Sequence, residues 1–289
     1  MIDNERSAPS LAASIGTDSM ALRPSGPSKA RASSRGRRLF RGVWVQVASL
    51  AVFLTLWQII GSTNSVLFAT PSHVVAAFAD LIRSGQLQTA FWTSTKDLVT
   101  GYVIAVVAGI AVGLAMGRSS LVERILNPYV DFMQCTPIIA MVPLMVIWFG
   151  IGFWSRVAVV VILSTWSVMI NVTAGVKGTP RILMEVAQVY HLSEQRIVRD
   201  IALPNAVPLI FAGLRIALGK ALIGMIIGEI EITVVGLGGM AATFGGSFRT
   251  AYLLAAIMAS SIVGVATAAL LTWSLGRFFP WVAATSAAR

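Results

Sequence analysis

The residues that could carry covalent or metal chemistry are few and scattered. The sequence holds two histidines, His73 and His191, and one cysteine, Cys135. Neither histidine stands at a metal-ligand spacing from a second His, Cys or carboxylate, so no zinc motif is formed and no metal site is expected. A lone cysteine leaves no disulfide within the chain. No Gly-x-x-x-x-Gly-Lys-Ser/Thr phosphate loop occurs, so any ATP that drives this protein has to be hydrolysed by another chain. What remains is charge in an apolar setting: Arg215, Lys220, Glu229 and Glu231 lie in one glycine-rich hydrophobic stretch. Charge there is costly unless it faces a bundle interior, a watery path or the headgroups. Arg215 is early enough in the stretch to be expected to snorkel to the inner surface along its aliphatic stem, while Glu229 and Glu231 are expected to approach the outer one. For Glu229, lining a path and contacting a helix remain equally open.

The composition says what must position these groups. Of 289 residues 56% are hydrophobic and 12% charged, and the mean hydropathy is +0.79, against about 25% charged residues in an ordinary soluble domain. The net charge of +10 is not spread as a nucleic-acid binder would spread it. Eight basic residues from Arg6 to Arg41 stand against Asp3, Glu5 and Asp18 just ahead of the first hydrophobic run. That is a cytoplasmic flank by the positive-inside rule, and no nucleic-acid partner is expected. Residues 1–41 read as a flexible basic tail. The run Val43–Ile60 is long for a signal-peptide core, has no small-x-small cleavage site after it, and reads as a first span.

Five more spans follow, at about Leu98–Met116, Ile125–Phe149, Val157–Val172, Val207–Ile232 and Ala251–Leu275. Gly101, Ala105, Gly109, Gly113 and Gly117 recur every four residues on the second, a bare face that lets a neighbouring helix approach closely. Pro137 and Pro143 kink or interrupt the third, and freed carbonyls must then face protein or a watery cavity. Either proline alone is equally compatible with a simple packing kink. Thr233–Thr250 reads as a glycine-rich outer loop. Six spans put both termini on one side, in the cytoplasm, with residues 42–280 as the membrane domain and 281–289 as a C-terminal tail.

Between the fourth and fifth spans lies a segment of mixed polarity, Thr179–Pro208. Thr179 is placed to cap a short helix with Pro180 at its first position and Ile182, Val186 and Val189 on one face. Ser193 is placed to cap a second helix that stops before Pro204. An amphipathic hairpin on the cytoplasmic side, between hydrophobic spans, is a docking surface for another protein.

Glu185-Val186-Ala187, followed by Leu203-Pro204 and Pro208, resembles the EAA motif of permease subunits of bacterial ABC importers. Met141 to Gly152, Gly213-Leu-Arg-Ile-Ala-Leu-Gly219 and Gly236-Leu-Gly238 resemble the nitrate/sulfonate/taurine branch. The resemblance covers roughly residues 43–280. It implies an all-α, six-helix type I importer permease of the bacterial inner membrane. The implied partners are a second permease copy, two cytoplasmic ATPase subunits holding ATP and magnesium, an external substrate-binding protein and membrane lipid; no cofactor is bound by this chain. The coupling region is 178–205, and Glu185, Val186, Ala187, His191, Leu192, Ser193 and Pro204 are the residues implied to meet the ATPase. The path is expected past Met133, Thr136, Pro137, Met141, Met225 and Glu229, and close packing at Gly101, Gly109, Gly113 and Gly117. The family's motif has glycine where His191 stands, alanine where Val186 stands and an apolar residue where Lys220 stands. A glycine suits a turn needing positive φ, so either the turn differs here or His191 is strained.

The substrate implied is a small anion such as a sulfonate, taurine or nitrate. A self-sufficient channel or secondary transporter is the alternative, and would carry ionisable residues deep in several spans or an inverted repeat. An intramembrane enzyme would need a nucleophile–base pair or metal ligands within the spans, which the sequence does not supply.

Overall fold

The computed structural model describes residues 30–63 and 68–278, all helices and connections, with no strand among them. By internal contacts the chain falls into two units, 1–53 and 54–289. The described part of the first is the opening of helix α1 (Ala30–Thr63). That helix therefore starts inside the stretch read as tail; residues 1–29 and 279–289 lie outside the described residues.

In the second unit α2 (Pro71–Arg83) is capped by Thr70, whose hydroxyl accepts from the His73 amide, and buries Val74, Ala77 and Leu81 on one face. Then come α3 (Gln86–Arg118), α4 (Ser120–Cys135), a 3₁₀ turn Ile138–Met141, α5 (Val142–Phe149) and α6 (Phe153–Lys177). The rest is α7 (Arg181–Val189), α8 (Glu194–Arg196), α9 (Leu203–Gly228), α10 (Gly236–Gly246) and α11 (Thr250–Phe278). Five of these helical stretches are long and apolar enough to cross a membrane: Val45–Ser62, Gln86–Arg118, Phe153–Lys177, Glu194–Thr233 and Thr250–Ser274. A sixth crossing is made only if α4 and the Ile138–Phe149 helix count as one, and these are bent by 102°. The bend falls at Thr136-Pro137. Pro143 does not break anything, because it stands in the first turn of α5 where no amide is needed.

The centre is a three-helix block in which α6 lies between α3 and α9. The small-residue column of α3 meets a valine column on α6. A Cβ built on Gly101, Gly109 or Gly117 would fall 2.6, 2.6 or 2.7 Å from Cβ of Val160, Val168 or Val176, and one on Gly113 2.8 Å from that of Val172. Only a bare backbone permits this, and it lets the Thr173 hydroxyl donate across to the Gly113 carbonyl at 3.1 Å. On its other side α6 meets α9 the same way: a Cβ on Gly213 would lie 2.6 Å from that of Asn171, and one on Gly224 3.1 Å from the Val160 Cα.

The outer loop expected at Thr233–Thr250 is mostly helix, α10, packed on α3 and α11. Its glycines disfavour a helix in isolation; the bonds at its start, described below, offset this.

Gly109→Leu should cost about 1–3 kcal/mol as an overpacked contact. A lowered melting temperature of the protein in detergent, largely recovered by adding Val168→Ala, is the expected result. An unchanged melting temperature in the single variant would contradict the close approach.

Candidate functional site

The two ends of the block carry different chemistry. At one end the chain leaves α6, forms α7, turns and enters α9. Helix α7 begins one residue later than its sequence suggests: Pro180 takes the cap position, and the Thr179 hydroxyl instead donates to the Val176 carbonyl at 2.8 Å. Ala187 is fully buried, while Ile182, Val186, Val189 and Tyr190 are 67%, 46%, 77% and 74% exposed. Glu185 is also exposed, on the same short helix. The apolar stripe therefore points away from the subunit.

The turn after α7 is a Schellman closure. The Leu192 amide bonds the Ala187 carbonyl at 3.0 Å and the His191 amide bonds that of Gln188 at 2.9 Å. This closure needs one left-handed residue, and His191 supplies it with φ 47°. The turn is thus the one a glycine would make, and histidine bears the strain. Leu192 is half-buried; Ser193 stands at the cap position of α8 without a side-chain bond to its amides.

The second short helix does not stop before Pro204. Helix α8 runs through a π-helical turn, Ile197–Ala202, into α9, making one continuous helix Glu194–Thr233. The Leu203 amide bonds the Val198 carbonyl five residues back, a wide turn immediately ahead of Pro204, whose ring and missing N–H would otherwise disrupt the ladder. Two ion pairs tie this end together, Arg118 with Glu194 and Lys177 with Glu123. They connect the ends of α3 and α6 to the starts of α8 and α4, across sequence distances that no local pattern reveals.

The opposite end is closed by buried charge. Arg156, read from sequence as a loop residue, donates Nε to Asp97 Oδ2 at 2.6 Å and Nη1 to Thr233 Oγ1 at 2.9 Å. The two side chains are 9% and 1% exposed. Glu229 lies at this end of α9, as expected, but faces protein rather than solvent. It is fully buried, and its Oε2 accepts the Gly238 amide at 2.7 Å while the Ser94 hydroxyl accepts that of Leu237 at 2.8 Å. A carboxylate and a hydroxyl thus satisfy first-turn donors of α10 and complement the positive end of its dipole. A side chain at Gly236 would collide with both groups. Beside them Ser84, Thr89, Thr93, Val234 and Thr243 help line a cavity of about 680 Å³.

The six residues expected along a path are not gathered in one place. Met225 is fully buried with Leu98, Val160 and Leu237 in the apolar core. Met141 packs in another cluster with Val142, Met145 and Leu163. Met133 and Thr136 are half-buried and Pro137 is exposed around the bend.

A family model described as binding-protein-dependent transport system inner membrane component matches residues 105–284. The chain is similar to the taurine transport system permease protein of Escherichia coli, 32% identical over 84% of this chain and 91% of that one. It is also similar to the nitrate import permease protein of Synechococcus elongatus, 28% identical over 78% of this chain and 86% of that one. Among solved structures, a chain of the inward-facing methionine ABC transporter shares the fold with a TM-score of 0.57 at 17% identity, over 66% of this chain and 93% of that one.

Removing one partner of the Asp97–Arg156 pair strands a buried charge, at a cost of about 3–5 kcal/mol. Thermal unfolding should therefore find Arg156→Leu and Asp97→Leu each more damaging than the double variant; additive losses would contradict a coupled pair. His191→Gly should relieve about 1 kcal/mol of left-handed strain and raise the melting temperature; a lowered value would contradict the strain.

Proposed function

The chain belongs to the family of binding-protein-dependent transport system inner membrane components, and from that premise we propose how it works within an ABC importer. It is the multi-pass permease subunit, and it carries no nucleotide site of its own. Two ATPase subunits, holding ATP and magnesium, act at the α7 end; an external binding protein delivers the solute at the α10 end; a second permease copy completes the path. The α7 end faces the cytoplasm, since Arg118, Arg124, Lys177, Arg181, Arg196 and Arg199 collect there. The solute is a small anion such as a sulfonate, taurine or nitrate.

One observation carries the coupling role: α7 is fixed to the bundle through Ala187 and the Schellman turn while its apolar stripe faces outward. Burying Ile182, Val186 and Val189 in a partner's cleft would contribute about 1.5–3 kcal/mol for each side chain fully covered. Only the hydrogen-bonded turn at His191 separates α7 from α8, and α8 continues into α9 without a break, so a displacement of α7 reaches a membrane-crossing helix through that closed turn.

Glu185→Lys is expected to weaken ATPase association at least roughly tenfold, the effect of about 1.4 kcal/mol, while membrane insertion is retained. Co-purification of the variant with its ATPase, together with uptake in proteoliposomes, tests this. Native levels of both would count against the coupling role.

A further inference from the structure

Arg215 stands in the middle of α9, not near its inner end. The helix has 26 residues, Leu203–Gly228, about 39 Å at 1.5 Å per residue, so either end is roughly 18 Å away. A second route gives the same depth: Tyr102, midway along Gln86–Arg118, donates its hydroxyl to the Leu214 carbonyl at 2.9 Å. An arginine stem does not cover that distance, so snorkelling toward the inner end of α9 leaves the guanidinium well short of it.

The Arg215 side chain is exposed on a face of α9 shared with Leu209, Ala212, Ile216, Gly219 and Ile223, with half-buried Lys220 beside them. A Cβ at Gly219 would meet nothing within 4 Å, so open space adjoins both cations. Among the described residues neither cation is in an ion pair. Asp97 is engaged with Arg156, Glu229 at α10, Glu123 with Lys177 and Glu194 with Arg118; exposed Glu231, on the same continuous helix, is about 16 Å from Lys220 and about 24 Å from Arg215 along the axis. Asp131 on α4 accepts from Asn127, and even if it approached from a second copy, two cations against one carboxylate leave positive charge. An uncompensated cation at mid-depth, with a second about 7.5 Å nearer the α10 end, is not held against hydrocarbon; such groups face the interior of a bundle or a water-filled path.

We propose that Arg215 and Lys220 form a cationic station for the anion in transit, the corresponding residues of a second copy facing them across the path. This rests on the reading of the chain as an importer permease and deepens it by assigning the residues that select the sign of the solute's charge. Arginine suits the task because the planar fork of its guanidinium matches the oxygens of a sulfonate or nitrate. Lys220 lies five residues further on, about 7.5 Å along the axis. Two weak sites in series let an anion be handed on rather than held.

The test replaces Gly219 by cysteine, for which there is room, in a Cys135→Ser background of the assembled transporter in membrane vesicles. The probes are two thiol reagents, anionic 2-sulfonatoethyl and cationic 2-trimethylammonioethyl methanethiosulfonate, each rate normalised to that with a free thiol. The anionic reagent should be favoured on the order of tenfold, and Arg215→Gln with Lys220→Gln should bring the ratio to near parity. No modification by either reagent, parity before the charges are removed, or a preference that survives their removal would each overturn the station. ATP-dependent uptake and ATPase association, measured on the same vesicles, report on the importer reading separately.

Discussion

In hydrocarbon, helices gain nothing by hiding apolar surface from one another, so what joins α3 to α6 is how closely their backbones can come. The four-residue glycine series on α3 and the valines opposite it on α6 set that distance, and α9 repeats the device on the far side of α6. Within the second unit, bonds at both ends close on this block. The ion pairs Arg118–Glu194 and Lys177–Glu123 close one end, and the Asp97–Arg156–Thr233 bonds with Glu229 close the other. A unit so packed has few ways to bend internally.

Movement must then occur at its margins, where two features stand out. The α4–α5 segment, bent by 102° at Thr136-Pro137, meets the block through Val130 with Met116 and Met169 and through Val142 and Met145 with Leu163, and leaves Ile139, Ile147 and Trp148 exposed. Helix α7 touches the π-helical entry of α9 and is joined by the hydrogen-bonded His191 turn to α8, which runs on into α9 as one helix. The same helix carries Arg215 at mid-depth. The proposed charge selection therefore falls on the helix that the proposed coupling element leads into.

Much of this was legible before any coordinates. The glycine spacing announced a close helix contact, and Pro137 and Pro143 pointed to a kinked or interrupted third span, of which only Pro137 lies at the bend. The glycine missing at His191 left two readings open, a different turn or a strained histidine, and a φ of 47° is the second. Two kinds of feature were not legible. Contacts between residues far apart in sequence, such as Asp97 with Arg156 or Arg118 with Glu194, leave no local periodicity, so Arg156 read as a loop residue. Tertiary capping also overrode propensity: Gly236–Gly246 looked like a loop because its glycines are poor helix formers, yet Glu229 and Ser94 satisfy its first amides. Pro204 misled for a related reason, since a π-helical turn can absorb a proline that an α-helical reading treats as a stop.

As proposed here, this chain supplies a path and a lever while a partner supplies the energy. Co-expression with an ATP-binding-cassette ATPase subunit, purification and reconstitution with the external binding protein test this division of labour. The expected result is a stable complex with two ATPase subunits, whose ATP hydrolysis rises when the loaded binding protein is present and whose uptake requires ATP. A chain that purifies without any ATPase and transports its solute in the absence of ATP would contradict it.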